Sequence, residues 1–495
     1  MSLNFCDVLI WGSDLSGVIA GTLLAKRGLN VLVLDDSDES SPAPNVMTGL
    51  GSRQFKSLLG KLMIPDSKLQ MLQENEVGLQ VILPKHRLDI FATRSLYLKE
   101  MGREFPQEQE LLTALLTEVD RLRENYLDEI LTFFPILGTS GDLVNLMSNG
   151  FHWKNWGNKE KKRFLKWFQK FPDKTLLEIW GQLPQVLKTI LEAQMKFLSR
   201  GLVMNPPLLQ MLFFLPPEGA GSFSIRGGWK DLRKLFFDKL DYFGGMVHPL
   251  REDTVQILNK GLEINGIQMS RFNFPTRCRY VIGNTDIKEL YSRLPTSFFT
   301  MFSRSRKKMS SLQPVEKQIV IQYHVAKEAL PEPMKENVVL ITDPLLPLEG
   351  LNYLEINFQD LGKESEEGLN VLMTVSYSLP NSSEEDVKNR LVEVDAKIEK
   401  LLPFSTLRLK RVYPALAVDK EAPSLFPEDQ MEIKFREKVF YTPSLFFPPV
   451  NSPFKNLYAV GPNILDWLGM EGKILSAIKA VELVWERELK VKNQH

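Results

Sequence analysis

Gly12-Ser13-Asp14-Leu15-Ser16-Gly17 is the stretch whose residue types and spacing best suit chemistry. It follows a short apolar run, Asp7 to Trp11, and precedes Val18 to Arg27, which is rich in Ala, Leu and Ile at helical spacing. Gly28 stops that helix, and Leu29 to Leu34 is a second apolar run ending in Asp35. The order strand, glycine turn, helix, strand is the unit that binds a dinucleotide. In it the first glycine makes the tight turn and the second lets backbone approach a pyrophosphate. The third lets helix pack on strand, and the terminal acid takes a ribose hydroxyl. Here Gly12, Gly17 and Asp35 hold their positions, but the middle glycine is Asp14. A carboxylate ~4 Å from each phosphate charge is repelled by several kcal/mol even at a surface-like dielectric.

Other chemistries lack their residues. The five histidines, His86, His152, His248, His324 and His495, are scattered, and none pairs with Cys, Asp or Glu at metal spacing. There is no Gly-x-Ser-x-Gly elbow and no Gly-Lys-Ser/Thr phosphate loop. Cys6 and Cys278 are the two cysteines, which excludes a disulfide scaffold and fits a reducing compartment. Cys6 lies on the first strand, where a small buried residue is expected. Basic and acidic residues balance at 61 each, so no global field favours nucleic acid. Met1 to Phe5 lacks the basic start and apolar core of a secretory signal, and no stretch reaches the ~20 apolar residues of a spanning helix. The expected location is cytoplasmic.

The elements that must position the turn follow in order. Gln80–Leu83 and Leu88–Phe91 read as strands around the turn Pro84-Lys85-His86-Arg87. Leu111, Leu115, Val119, Leu122, Tyr126 and Ile130 recur at steps of three and four, predicting an amphipathic helix over Gln107–Phe134. Phe151 to Lys174 interleaves Lys161, Lys162, Arg163 and other basic residues with Trp153, Trp156, Trp167 and phenylalanines. Two readings stand: an in-plane membrane-surface helix, or a helix that packs its aromatics on the domain while its lysines are solvated. Arg226-Gly227-Gly228-Trp229 opens a helix, Lys230 to Phe243, followed by strands at Met246–Pro249, Thr254–Leu258 and Ile264–Met269. Asn265-Gly266 is expected to be a tight hairpin turn. Arg279–Gly283 is a strand, and Asn284-Thr285-Asp286 caps the helix after it. Alternation from Lys317 to Leu379 predicts a mostly antiparallel sheet. Asn456–Gly461 is a strand, and Gly469-Met470-Glu471-Gly472 starts a closing helix, Lys473 to Lys490.

Four of these segments, in order, resemble the phytoene desaturase-like branch of the amine-oxidase superfamily of flavoproteins. They are the Gly12 turn, the Arg226-Gly227-Gly228 helix, Asn284-Thr285-Asp286, and Asn456–Gly461 with the Gly469–Gly472 helix start. The resemblance spans nearly the whole chain. It implies an α/β protein: a Rossmann-type FAD-binding domain interleaved with an α+β substrate domain, made of a helical insert and a mostly antiparallel sheet. On that pattern residues 1–90, 221–300 and 431–495 build the FAD domain. Residues 91–220 form the helical, membrane-facing insert, and 301–430 the substrate-domain sheet with its helix. FAD would contact Gly12, Ser13, Asp14, Gly17, Asp35, Val255 at the adenine, Gly461, and Gly472 beside the flavin ring. A helix start at Gly472 would favour an anionic reduced flavin.

Departures from that pattern concern charge. Asp14 replaces a glycine, Pro42-Ala43-Pro44-Asn45 replaces a Gly-Gly-Arg, and Pro462 stands where an acid usually binds the ribityl chain. Two functions remain open. One is an FAD-dependent oxidoreductase that desaturates, saturates or isomerises an apolar, isoprenoid or lipid substrate. The other is a flavin-free lipid- or prenyl-binding protein on the same fold, resembling Rab GDP-dissociation inhibitors. The catalytic residues are not identified by either.

Overall fold

The computed structural model describes residues 5–36, 46–48, 53–137, 174–199, 208–215, 222–225, 228–250, 255–261, 263–270, 275–294, 316–361, 370–380, 384–405, 409–413, 450, 452, 454–461, 464–465 and 468–493. The opening unit is β1 (Phe5–Trp11), α1 (Leu15–Lys26) and β2 (Val31–Asp35). After β3 (Val46–Thr48), α2 (Arg53–Lys61), α3 (Asp66–Leu69) and β4 (Leu72–Glu74) comes a hairpin of β5 (Val77–Ile82) and β6 (Arg87–Phe91). A helical region follows: α4 (Arg94–Glu104), α5 (Gln109–Leu137), α6 (Lys174–Gln182), α7 (Gln185–Ser199) and α8 (Leu208–Phe214). Next are β7 (Ser222–Ile225), α9 (Gly228–Tyr242), β8 (Met246–Pro249), β9 (Val255–Lys260), β10 (Glu263–Met269), β11 (Thr276–Gly283) and α10 (Ile287–Ser292). Then come β12 (Glu316–Val325), β13 (Asn337–Ile341), β14 (Tyr353–Asp360), β15 (Val371–Pro380), α11 (Glu384–Leu401), β16 (Leu409–Tyr413), β17 (Leu457–Ala459) and α12 (Gly469–Lys492).

The first sheet runs β8-β2-β1-β11-β10-β9, with β17 also on β11. β8, β2, β1, β11 and β17 are parallel to one another, whereas β10 runs antiparallel to β11 and forms an antiparallel hairpin with β9. Val8–Ile10 and Val31–Leu34 are almost fully buried, as strands covered on both faces must be. α1 covers one face. It is apolar all round because it is enclosed: Val18, Ile19, Ala20 and Leu24 have no exposed surface, and the sheet, α9 and α12 all pack on it. Gly21 brings it close, since a Cβ there would stand 2.9 Å from Ile10 Cδ1.

The second sheet runs β16-β12-β15-β14-β13-β5-β6 and is antiparallel except between β13 and β5. Its period-two alternation puts Ile319, Ile321, Tyr323 and Val325 into a core with Leu391, Val394 and Ile398 of α11. A short sheet, β3-β7-β4, joins the two parts of the chain that flank the helical region.

Asn265-Gly266 is not a turn. It lies inside β10, where the register against β9 shifts between Ile264 and Gly266. Gly266 is needed there because the neighbouring strand comes close: a Cβ would stand 2.4 Å from Thr276 O. Chain reversal occurs one step earlier, at Gly261, whose φ is +65°. The cap at Asp286 forms as expected: its Oδ1 accepts from Lys288 N at 2.8 Å and Glu289 N at 3.2 Å. The predicted aromatic and basic helix over Phe151–Lys174 lies outside the described residues except for Lys174, which opens α6. Among the described residues no helix is long and apolar enough to cross a membrane.

Candidate functional site

The site grows from the turn between β1 and α1. Gly12 has φ +100°, a left-handed conformation that side chains rarely adopt. A Cβ at Gly12 would stand 2.3 Å from Asn284 O, one at Gly17 2.6 Å from Asn284 Nδ2, and one at Gly461 2.7 Å from Asn284 Oδ1. Three glycines from two segments therefore make room for one asparagine. Asn284 follows β11. Its N–H donates to Trp11 O at 2.7 Å, and its Nδ2 donates to Asp14 O at 3.0 Å. The Asp14 carbonyl also accepts from Gly17 N and Val18 N, so Asn284 fixes the first turn of the helix. Its own Oδ1 is buried and has no hydrogen-bond partner among the described residues, and neither has the fully buried Ser16 Oγ.

Asp14 is the N-cap of α1, with the extended backbone that capping uses (φ −61°, ψ 161°), but its side chain makes no cap hydrogen bond. It turns instead to Lys473 of α12: Lys473 Nζ lies 2.8 Å from Asp14 Oδ2, with both side chains about three-quarters buried. The substituted acid is thus neutralised by a cation one residue beyond Gly472, and the α1 start is left without a side-chain cap. An uncapped helix start presents backbone donors and a positive dipole end, the requirements of an anion site.

Asp35, at the end of β2, is also engaged. Arg233 of α9 forms an ion pair with its Oδ1, and Ser13 Oγ donates to the same oxygen at 2.5 Å. Arg233 also donates to Ser13 Oγ at 2.7 Å and to Ser13 O at 3.2 Å, with its guanidinium over the Phe237 ring. Ser13 N donates to Asp36 Oδ1 at 3.0 Å. The structure brings Gly12, Ser13, Asp14, Gly17, Asp35 and Gly461 into one cluster and ties Gly472 to it through Lys473. Val255 opens β9 and is 3 % exposed; among the described residues no hydrogen bond joins it to the turn. Pro44 and Pro462 lie outside the described residues.

The start of α12 is packed differently. A Cβ at Gly472 would stand 2.1 Å from Leu465 O, and one at Gly469 2.3 Å from Ser199 O at the end of α7. Leu465 itself has φ +57°, a conformation costing a bulky residue of order 1–3 kcal/mol. One turn back from Ser199, Lys196 is buried, donates to Leu348 O at 2.6 Å and lies over the Tyr353 ring at 5.0 Å. Tyr353 OH donates to Glu355 Oε1 at 3.0 Å, and Ser376 Oγ approaches Glu355 Oε2 at 3.4 Å. By alternation Tyr353, Glu355 and Asn357 share the sheet face opposite α11, and Ser376 and Thr374 stand beside Glu355 and Asn357 in the ladder. A buried, hydrogen-bonded polar strip therefore lines that face.

Sequence reasoning did not find Arg233, Lys473 or this strip. For Lys473 the signal was its position next to Gly472. For Arg233 there was none, since the pairing with Asp35 spans 198 positions.

No family model and no curated protein matches the sequence. The fold is similar to that of an oxidoreductase from Methanosarcina mazei, with TM-score 0.56 and 14% identity over 96% of this chain and 100% of that one. It is also similar to that of cyclohexylamine oxidase from Brevibacterium oxydans, with TM-score 0.51 and 12% identity over 98% and 99% of the two chains. The chain shares the fold of these two proteins. The resemblance read in the sequence implies FAD, and the turn has features that would fit such a group: a helix start without a side-chain cap, buried Ser16 Oγ and Asn284 Oδ1 without partners among the described residues, and an acid that ends β2. The start of α12 is bordered by carbonyl oxygens, and the polar strip lies on the sheet face that carries Tyr353.

Proposed function

We propose that this chain is an oxidoreductase that binds FAD on the amine-oxidase fold. The observation that carries the reading is the start of α1, held uncapped although an aspartate stands at its N-cap. FAD would supply the two-electron chemistry. Gly12, Ser13, Gly17 and the first turn of α1 would hold its pyrophosphate, Asp35 its ribose, and Val255, Gly461 and Gly472 the adenine and flavin ends. The substrate suggested by the resemblance is apolar, isoprenoid or lipid in character. The buried Glu355 strip supports a polar group on that substrate, bound against Tyr353 and Glu355. The test is colour and titration. Protein purified with flavin, or reconstituted with FAD, develops the visible flavin band and quenches flavin fluorescence at a stoichiometric endpoint. Protein that stays colourless and gives no quenching sinks the reading.

The second reading is a flavin-free lipid carrier on this fold. It is favoured by the two internal ion pairs, Asp14–Lys473 and Asp35–Arg233, which already satisfy both acids of the turn. Retention of a fluorescent prenyl lipid by the colourless protein, at a one-to-one endpoint, is the result it requires. Under either reading Phe151–Lys174 would dock on a bilayer. Vesicles with anionic lipid should co-sediment the wild type, and a variant with Lys161→Glu, Lys162→Glu and Arg163→Glu should stay in the supernatant.

A further inference from the structure

The uncapped start of α1 needs an explanation from within the chain. Aspartate is among the best N-cap residues, because its carboxylate accepts from the second or third N–H of the helix. Asp14 has the right position and backbone, yet its carboxylate lies against Lys473. Without that ammonium it would have an attractive alternative one rotamer away, on the N–H groups of its own helix. A carboxylate there fills the space of an incoming phosphate and cancels the positive end of the dipole. The fully buried Ser16 hydroxyl, without a partner among the described residues, lies in the same first turn, and the Asn284 carboxamide oxygen, also without one, faces Gly461. Buried polar atoms of this kind are rare without a partner and mark a place for one.

We propose that Lys473 is a positioning residue that holds the Asp14 carboxylate off the start of α1, keeping an anion cradle open for the diphosphate of a nucleotide. The inference rests on the FAD-binding reading above and assigns how this chain tolerates an acid at the middle glycine position. Lys473 acts through Asp14 and not as the phosphate contact. The two roles make opposite predictions once Asp14 is gone.

The experiment is calorimetric titration of the full chain with ADP and, separately, with FAD, in wild type and four variants whose folding is checked by circular dichroism. Lys473→Met should weaken ADP at least ~10-fold, and Lys473→Arg, which keeps the pair, should stay within ~3-fold of wild type. Asp14→Ala, which has no side chain able to cap the helix, should bind at least as tightly as wild type. The double variant Asp14→Ala/Lys473→Met should recover to within ~3-fold of Asp14→Ala. That rescue is the decisive result, because loss of a direct phosphate contact would not be rescued. Failure of the double variant to recover overturns the proposal and makes Lys473 the phosphate ligand. Wild-type affinity in Lys473→Met overturns it too. Should Lys473→Met not fold, the double variant measured against Asp14→Ala decides alone: affinity within ~3-fold supports the proposal, and a loss of ~10-fold overturns it. A wild type that binds neither ADP nor FAD overturns the functional reading itself, and this inference with it.

Discussion

The starts of α1 and α12 are made of similar material, glycines beside a loop, and meet through Asp14 and Lys473. They end in opposite states. At α1 Gly17 accommodates a side chain, that of Asn284, and the helix N–H groups are not capped by the aspartate beside them. At α12 the glycines accommodate backbone carbonyls, Leu465 O and Ser199 O, which stand over the bare Cα atoms of Gly472 and Gly469. A glycine in a motif thus has two physical uses. It can make room for a side chain, or let backbone from another segment approach. The same letter in the sequence stands for both.

The comparison can be broken most sharply at α12. Gly472→Ala places a methyl 2.1 Å from a carbonyl oxygen whose own residue is already held at positive φ. Backbone cannot yield as a side chain does, so the expected cost is about 3 kcal/mol, at the upper end of overpacking. Urea unfolding would measure it, and a wild-type midpoint would show that the loop can withdraw. At α1 the obstacle is the end of a side chain, so Gly17→Ala should cost less, about 2 kcal/mol. Asn284→Ala removes the obstacle along with its bond to Asp14 O. The two substitutions together should therefore cost about 1 kcal/mol less than their sum. Strict additivity would mean that Asn284 and Gly17 do not share the space.

A smaller effect is expected at the ribose end. Arg233→Met removes the partner of Asp35 in a pair whose side chains are 18% and 25% exposed. Such a partly screened pair supports a loss of about 1 kcal/mol. The loss should vanish when Asp35→Asn is made first. The smallest effect at neutral pH concerns the thiols of β1 and β11, neighbours in the ladder. Burial pushes Cys278 up to about 12 and Cys6 further, from an ordinary value of 9.0. Neither should react with a thiol reagent at pH 8 until the protein unfolds. Because the unfolded chain releases these protons first, stability should be unaffected below pH 9 and fall as pH rises from there towards 12. Equal reactivity of folded and unfolded protein at pH 8 would contradict the enclosed sheet.

The opening unit was legible because its signals are local and agree. Apolar runs, a glycine turn and an all-round apolar helix follow one another within thirty-six residues. The helical and sheet regions were legible from periodicity, and Asp286 from its place before a helix. Asn265-Gly266 misled because a glycine that yields to a neighbouring strand looks like one that makes a turn. The β5–β6 hairpin could be read, but not its parallel pairing with β13, which lies far along the chain. The site was half legible. Gly12, Gly17 and Asp35 could be placed, and Asp14 marked as a departure. What answers Asp14 could not be read, because the charges that settle the turn arrive from α9 and α12. Pairing across such separations leaves no periodic trace.

The order of the first sheet has a consequence for synthesis. β1 and α1 leave the ribosome hundreds of residues before α12, which covers α1, and before β17, which completes the edge of β11. Until then Val18, Ile19, Ala20 and Leu24 have only part of their packing partners. The nascent chain must carry a sticky helix until α12 has been made, the condition in which aggregation competes with folding and chaperones are engaged. Slowing elongation between α1 and α12 should therefore lower the soluble yield, and an unchanged yield would show that α1 is protected without α12.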